Sequence, residues 1–208
     1  MSSIDERSLY NRPIEDLSST VSDAVKRKKI YTYADYCKWD DNKRWELIQG
    51  IPYLMASPSH EHQSIVLSLG SAIKNYLQNK QCKVYIAPLD VRLNADTEDN
   101  TVVQPDVLIV CDKSKLDDKG VKGAPDFIAE ILSPSSAKND IERKYYEYKN
   151  AGVKEYWIID PLNKHVIAHT LQNGSYERRL YLADDTSVPI TILDECYINL
   201  EEIFSSIE

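Results

Sequence analysis

The chain has 208 residues, 42% hydrophobic and 28% charged, with a formal net charge of −8. This length and balance suit one globular domain with a substantial core, and no stretch approaches the roughly 20 apolar residues that span a bilayer. The acidic balance, with a pI near 5.1, counts against indiscriminate nucleic-acid binding but leaves room for a local basic groove.

Residues 1–30 are polar and mixed in charge, without the apolar segment of a signal peptide. They read as a loosely ordered arm, or as a short helix docked on the body. The run Lys26-Arg27-Lys28-Lys29 within them reads as solvated surface. The folded domain is expected over residues 31–208. Thr32 is suited to cap a short helix through Tyr36 and Trp39. Residues 45–48 and 51–55 look like two short strands around Gln49-Gly50, a hairpin turn. In Ser57-Pro58-Ser59, Ser57 can cap a helix and Pro58 can fill its first turn. That helix should end near Asn79. Ile65, Leu69, Ala72, Ile73, Tyr76 and Leu77 recur three or four apart along it, which makes one apolar face.

Residues 84–93 read as a strand, 96–100 as a polar turn and 102–110 as a second strand. A charged loop with two glycines covers 112–125, and 127–132 form a third strand. A second Ser-Pro-Ser, at 133–135, leads into a helix over about 137–151 that Gly152 is placed to stop. Residues 156–159 make a short buried strand closed by Asp160-Pro161. Residues 165–171 and 176–182 pair as a hairpin around Asn173-Gly174, and 188–207 end in a strand and a short helix. The core order is therefore αβββαβ. A helix between the third and fourth strands makes them parallel with a right-handed crossover, and the first three form an antiparallel meander. The expected fold class is α/β, a mixed sheet flanked by helices with added β-hairpins.

Cys37, Cys82, Cys111 and Cys196 are widely spaced and form no CxxC pair. That argues against a structural zinc site and a disulfide framework, and suits a reducing cytoplasm. Packed or incidental thiols are the expectation.

Chemistry enters with two acids in apolar runs. Asp106 opens the run 107–110, and Glu130 sits inside the run 127–132. Alternate strand residues share a face, so Glu130 lies with Ile128 and Leu132. An unpaired carboxylate there costs several kcal/mol or takes up a proton. The following helix offers the cation. Ile141, Tyr145 and Tyr148 mark its inward stripe, and Lys144 falls on or beside it. Asp140, four residues earlier, is spaced to pair with Lys144. Asp106, Glu130 and Lys144 can then meet at one end of the sheet with one negative charge in excess, and Glu46 can add another. A hard divalent cation offsets such an excess, and Mg²⁺ suits one or two carboxylates completed by waters and phosphate oxygens. Water on such an ion is acidified, and the ion neutralises charge on a phosphorane-like transition state. Lys144 would orient that water or stabilise that charge.

In this order and spacing the residues resemble the PD-(D/E)XK nuclease superfamily and, within it, the Uma-type family of restriction endonucleases. The resemblance runs from about Tyr33 to Phe204. It rests on Trp45-Glu46-Leu47-Ile48-Gln49-Gly50, Ser57-Pro58 with His62-Gln63, Gln104-Pro105-Asp106, and Glu130-Ile131-Leu132-Ser133-Pro134-Ser135. Asp140 with Lys144 and the run from Ala151 to Trp157 complete it. It implies a restriction-endonuclease-like fold with Asp106 and Glu130 as metal ligands and Glu46 as the acid of the preceding element. His62, Gln63 and Asp140 would be active-site neighbours. Where the superfamily carries lysine, two residues after the glutamate, this chain has Leu132, and the resemblance implies that Lys144 supplies the missing amine. The implied activity is Mg²⁺-dependent, or Mn²⁺-dependent, endonucleolytic hydrolysis of DNA by a cytoplasmic homodimer with no membrane partner. Two alternatives stand beside it. One is an inactive nuclease scaffold retained as an interaction protein, with Glu130 and Lys144 as a buried pair. The other is hydrolysis of a different phosphate ester by the same acids.

Overall fold

Two prolines divide what the sequence presents as long strands. Residues 84–93 and 102–110 are one bent hairpin shared between two sheets, broken at Pro88 on one arm and Gln104-Pro105 on the other. Proline has no N–H to give to a ladder, so pairing stops there and resumes in a new plane.

The computed structural model describes residues 29–133 and 137–207, with the side chains of the helix at 137–151 described from Arg143 onward. The expected N-terminal arm and its basic run lie outside the described residues, apart from positions 29 and 30. In chain order the first elements are α1 (Tyr33–Tyr36), β1 (Trp45–Ile48), β2 (Ile51–Leu54) and α2 (His60–Tyr76). The bent hairpin supplies β3 (Lys83–Ile86), β4 (Val91–Arg92), β5 (Val102–Val103) and β6 (Val107–Val110). Next come β7 (Leu116–Asp117), β8 (Gly120–Lys122), β9 (Phe127–Ile131) and α3 (Ala137–Ala151). The last are β10 (Glu155–Asp160), β11 (His165–Gln172), β12 (Ser175–Leu182), β13 (Val188–Pro189), β14 (Tyr197–Ile198) and α4 (Leu200–Ser205).

The main sheet runs β12-β11-β10-β9-β6-β3. Within it β3, β6 and β9 form the expected antiparallel meander, and β9 and β10, joined by α3, are parallel. The single mixed sheet expected is in fact accompanied by a second sheet, β2-β1-β5-β4-β8-β7. The region expected as a plain loop, 112–125, contributes the β7–β8 hairpin to its edge. A small β13–β14 pair completes the strands.

The layers follow from the alternation of side chains. One face of the main sheet, with Val107, Ile109, Phe127, Ala129 and Trp157, packs on Ile65, Leu69 and Ile73 of α2 and on Ile203 and Phe204 of α4. Its other face, with Leu108, Val110, Ile128, Tyr156 and Ile158, packs on Val91, Val103 and Val121 of the second sheet and on Tyr148 of α3. A third cluster joins α1 to the outer face of the second sheet through Tyr33, Leu47 and Val102. Each fully buried aliphatic side chain contributes about 1.5–3 kcal/mol, so these two interfaces dominate the stability.

Local signals are read largely as expected. Gln49 and Gly50 both have positive φ (50° and 73°), and a Cβ on Gly50 would sit 2.3 Å from Ile30, so the β1–β2 turn needs glycine. The helix start differs by two residues. Ser59, not Ser57, caps α2 by accepting from the His62 N–H at 3.2 Å, which leaves Pro58 outside the helix. Cys82 and Cys111, expected as separate thiols, are joined in a disulfide. The antiparallel register that pairs Lys83 with Val110 sets these two cysteines opposite each other. Cys37 and Cys196 are free. Among the described residues no helix is long and apolar enough to cross a membrane.

Candidate active site

The break at Pro105 places Asp106 at the seam where the two sheets part. The register pairs Val107 with Ala129, so Asp106, immediately before β6, comes close to Glu130 of β9, and both line one cavity. Glu130 points to the face shared with Ile128 and covered by α3, as its alternation requires. It is 6% exposed.

Lys144 meets it there. Its Nζ lies 3.0 Å from Glu130 Oε1 and 2.9 Å from Glu46 Oε1, and Lys144 itself is only 3% exposed. Glu46 comes from β1 of the second sheet, and its Oε1 also accepts the Gln104 N–H at 2.8 Å. The amine therefore joins one acid from each sheet. Tyr148, one helical turn beyond Lys144, donates its hydroxyl to Glu130 Oε1 at 2.6 Å. Sequence reasoning placed Tyr148 on the inward stripe and missed this bond.

Asp106 is held separately. Its Oδ2 accepts the Ile131 N–H at 2.9 Å and lies 3.0 Å from Nε2 of His62, near the start of α2. His62 is buried, and its Nδ1 has no hydrogen-bond partner among the described residues. Among the described residues the side-chain hydrogen bonds of Asp106 fall on Oδ2, and those of Glu130 on Oε1. Among the described residues the second oxygen of each takes none.

Glu46, His62, Asp106, Glu130 and Lys144 line a cavity of about 420 Å³ together with Gln63, Ser133, Arg44 and Arg143. Gln63 thus lies where it was expected, while the side chain of Asp140 lies outside the described residues. Neither arginine was singled out from the sequence. A signal for Arg44 existed, because it stands two residues before Glu46 and extends the β1–β2 ladder through its carbonyl, which accepts from Met55 N at 2.9 Å. Arg44 and Glu46 therefore share a face. The guanidinium of Arg143 lies 4.3 Å from the ring centre of Tyr53.

The electrostatics match the charge count. Burial pushes the Glu130 carboxyl up to about 8; Lys144 opposes this, and Asp106 and Glu46 add to it. Burial, followed by the charges of Glu130 and Glu46, also holds the Tyr148 phenol well above its ordinary value. Glu46, Asp106 and Glu130 set three acids around the one buried ammonium of Lys144, and burial together with the neighbouring acids favours the protonated form of the Glu130 carboxyl. Among the described residues no three of His, Cys, Asp and Glu are gathered to hold an ion by themselves. Any ion held here would draw on Asp106 and Glu130, with the rest of its shell coming from elsewhere.

A mixed α/β arrangement of this topology is of the restriction-endonuclease-like class. A crystal structure from Anabaena variabilis, described as a putative nuclease belonging to DUF820, is similar over 85% of this chain and 99% of that one, with a TM-score of 0.70 and 19% identity. At that identity the likeness speaks for the fold. The chain belongs to the Uma2 family, described as "Putative restriction endonuclease", whose model matches residues 32–201. Two uncharacterized proteins of Synechocystis sp. are also similar. One is 28% identical over 141 residues, covering 65% of this chain and 78% of that one. The other is 24% identical over 155 residues, covering 73% and 80%.

Proposed function

We propose that this protein is a metal-dependent endonuclease that hydrolyses phosphodiester bonds of DNA, with Asp106 and Glu130 holding Mg²⁺ or Mn²⁺. One observation carries the reading. Asp106 and Glu130 are presented side by side in a cavity, each with one oxygen already fixed and the other free of hydrogen bonds among the described residues. That donor chemistry fits a hard cation completed by water and phosphate oxygens. When bound, such an ion supplies an acidified water and neutralises charge that builds on phosphorus.

The chain's own residues do the rest. His62 and the Ile131 N–H fix the rotamer of Asp106, and Tyr148 and Lys144 fix that of Glu130. Lys144 is tied to Glu46 as well, so its charge stays at the cavity floor, where it orients the attacking water or stabilises the phosphate oxygens. Cutting both strands of a duplex suits a twofold-symmetric homodimer, each copy facing one strand. Leu132 at the usual lysine position, and the full pairing of Lys144 with two acids, favour a second reading in which the scaffold survives as an interaction protein without catalysis.

The test is incubation of supercoiled plasmid with purified protein and Mg²⁺ or Mn²⁺, beside Glu130→Ala. Nicking or linearisation by the unsubstituted protein, lost in the variant, supports the nuclease. No cleavage, or equal cleavage by the variant, overturns it.

A further inference from the structure

A cavity floored by acids repels a polyanionic backbone unless a fixed cation meets it at the rim. We propose that Arg44 is that cation, a positioning residue that grips a backbone phosphate of the nucleic acid; the inference rests on the nuclease reading.

Arg44 enters the cavity from the same face as Glu46 and is half-buried. Its Nε and Nη2 donate to a single acceptor, Oε1 of Gln104, at 3.1 and 2.8 Å. Gln104 is itself locked, because its amide nitrogen donates to Asp90 Oδ1 at 2.9 Å and to the Tyr36 hydroxyl at 3.2 Å. Flipping that amide would set donors against the guanidinium, so the carbonyl oxygen is held toward Arg44.

The anchor is neutral. Among the described residues Arg44 makes no ion pair, whereas the nearby Arg92 is bound to Asp117 and Lys144 to two glutamates. The full positive charge of Arg44 thus remains available in the cavity. Two of its five N–H donors are used and three are left. A planar guanidinium fixed along one edge can offer another to two oxygens of a phosphate, a match that an ammonium cannot make. The same chain segment that buries Glu46 therefore carries, two residues earlier, a group suited to the anion that flanks the reacting bond. A purely structural Arg44 would serve only to hold Gln104, and the experiment separates the two roles.

A fluorescein-labelled DNA duplex is titrated with the full chain in Ca²⁺, across a series of salt concentrations. The variants are Arg44→Gln, Arg44→Lys and Arg179→Gln, the last on β12 at the far edge of the main sheet. Arg44→Gln is expected to weaken binding about tenfold and to lower the slope of log affinity against log salt by about 0.9, one phosphate's share. Arg44→Lys restores the slope and not the full affinity. Arg179→Gln leaves the slope unchanged. Melting midpoints are recorded for each, so that loss of binding through unfolding is seen directly. The proposal is overturned if Arg44→Gln binds like the unsubstituted protein, if Arg44→Lys fails to restore the slope, or if Arg179→Gln lowers it equally. If the unsubstituted protein itself shows no salt-dependent duplex binding, the nucleic-acid reading of the site falls first and this inference with it.

Discussion

Lys144 and Glu130 form an ion pair at 3.0 Å in which both side chains are almost wholly shielded from water. The pair is the hinge of the candidate site, because the same amine also holds Glu46 of the second sheet at 2.9 Å. Burying the Lys144 ammonium against Glu46 and Glu130 costs several kcal/mol per charge, and the attraction repays this only while all partners are present. Lys144→Met should therefore destabilise the protein by about 3–5 kcal/mol, since it leaves two buried carboxylates facing one another. Adding Glu130→Gln to Lys144→Met should recover most of that loss. Urea unfolding of the single and double variants checks this. Equal stability of Lys144→Met and the parent would mean that the ammonium is solvated.

Metal addition gives a second outcome, independent of cleavage. If Asp106 and Glu130 take a divalent ion in the folded state only, the melting midpoint rises with Mg²⁺, by the equivalent of about 2.7 kcal/mol at a hundred times the dissociation constant. Asp106→Asn should remove that rise and leave the metal-free midpoint close to the parent's, because asparagine can still accept the Ile131 N–H. Differential scanning calorimetry with and without Mg²⁺ decides the matter, and a flat response in the parent would point to the scaffold reading.

What the sequence made legible follows from periodicity. Glu130 and Lys144 could be matched because a strand alternates, a helix repeats every three to four residues, and the second directly follows the first. The neighbourhood of Asp106 and Glu130 followed from reading the first three strands as a meander. The division into two sheets was not legible, because Pro88 and Pro105 act only where their strands cross, and a proline in isolation reads equally well as a strand end. For the same reason the separate sheet of Glu46, and the route by which it reaches Lys144, could not be derived. The link between Cys82 and Cys111 depends on the exact pairing of β3 with β6, and hydrophobic alternation leaves that register open. His62 beside Asp106 depends on how α2 lies across the sheet, which no local pattern encodes.

The proton on Glu130 makes metal-free stability depend on pH. Its carboxyl titrates near 8 in the folded protein against an ordinary 4.5, with burial as the main cause. Between these values the folded chain keeps a proton that the unfolded chain has released, so stability falls as pH rises through that window. Below it both states are protonated and the dependence vanishes. Glu130→Gln, which cannot ionise, should lack this slope and gain on the parent steadily from pH 5 to pH 8. Urea midpoints in chelator at several pH values measure the difference, and parallel curves for parent and variant would show that Glu130 is ionised throughout.

His169 should act in the opposite direction. Its ring on β11 lies among Tyr145, Tyr156 and Tyr176, with centroids 5.1, 5.8 and 5.7 Å away. Burial, and then the charge of Arg178 opposite it across the β11–β12 pair, lowers its pKa from 6.5 to about 4. Below pH 6.5 the unfolded chain gains a proton that the folded chain refuses until about pH 4, so stability is lost as pH falls through that interval. His169→Phe keeps a ring in the aromatic cluster; it removes an Nδ1 that is buried without a hydrogen-bond partner, and with it the ring's hydrogen bond to the Tyr156 backbone. The variant should therefore be somewhat less stable than the parent near pH 8, through the lost bond to Tyr156, and gain on it steadily toward pH 5. Because Glu130 tilts the parent curve the other way over part of the same range, the comparison is made on the difference between parent and variant at each pH. A constant difference would show that His169 takes its proton equally well in both states.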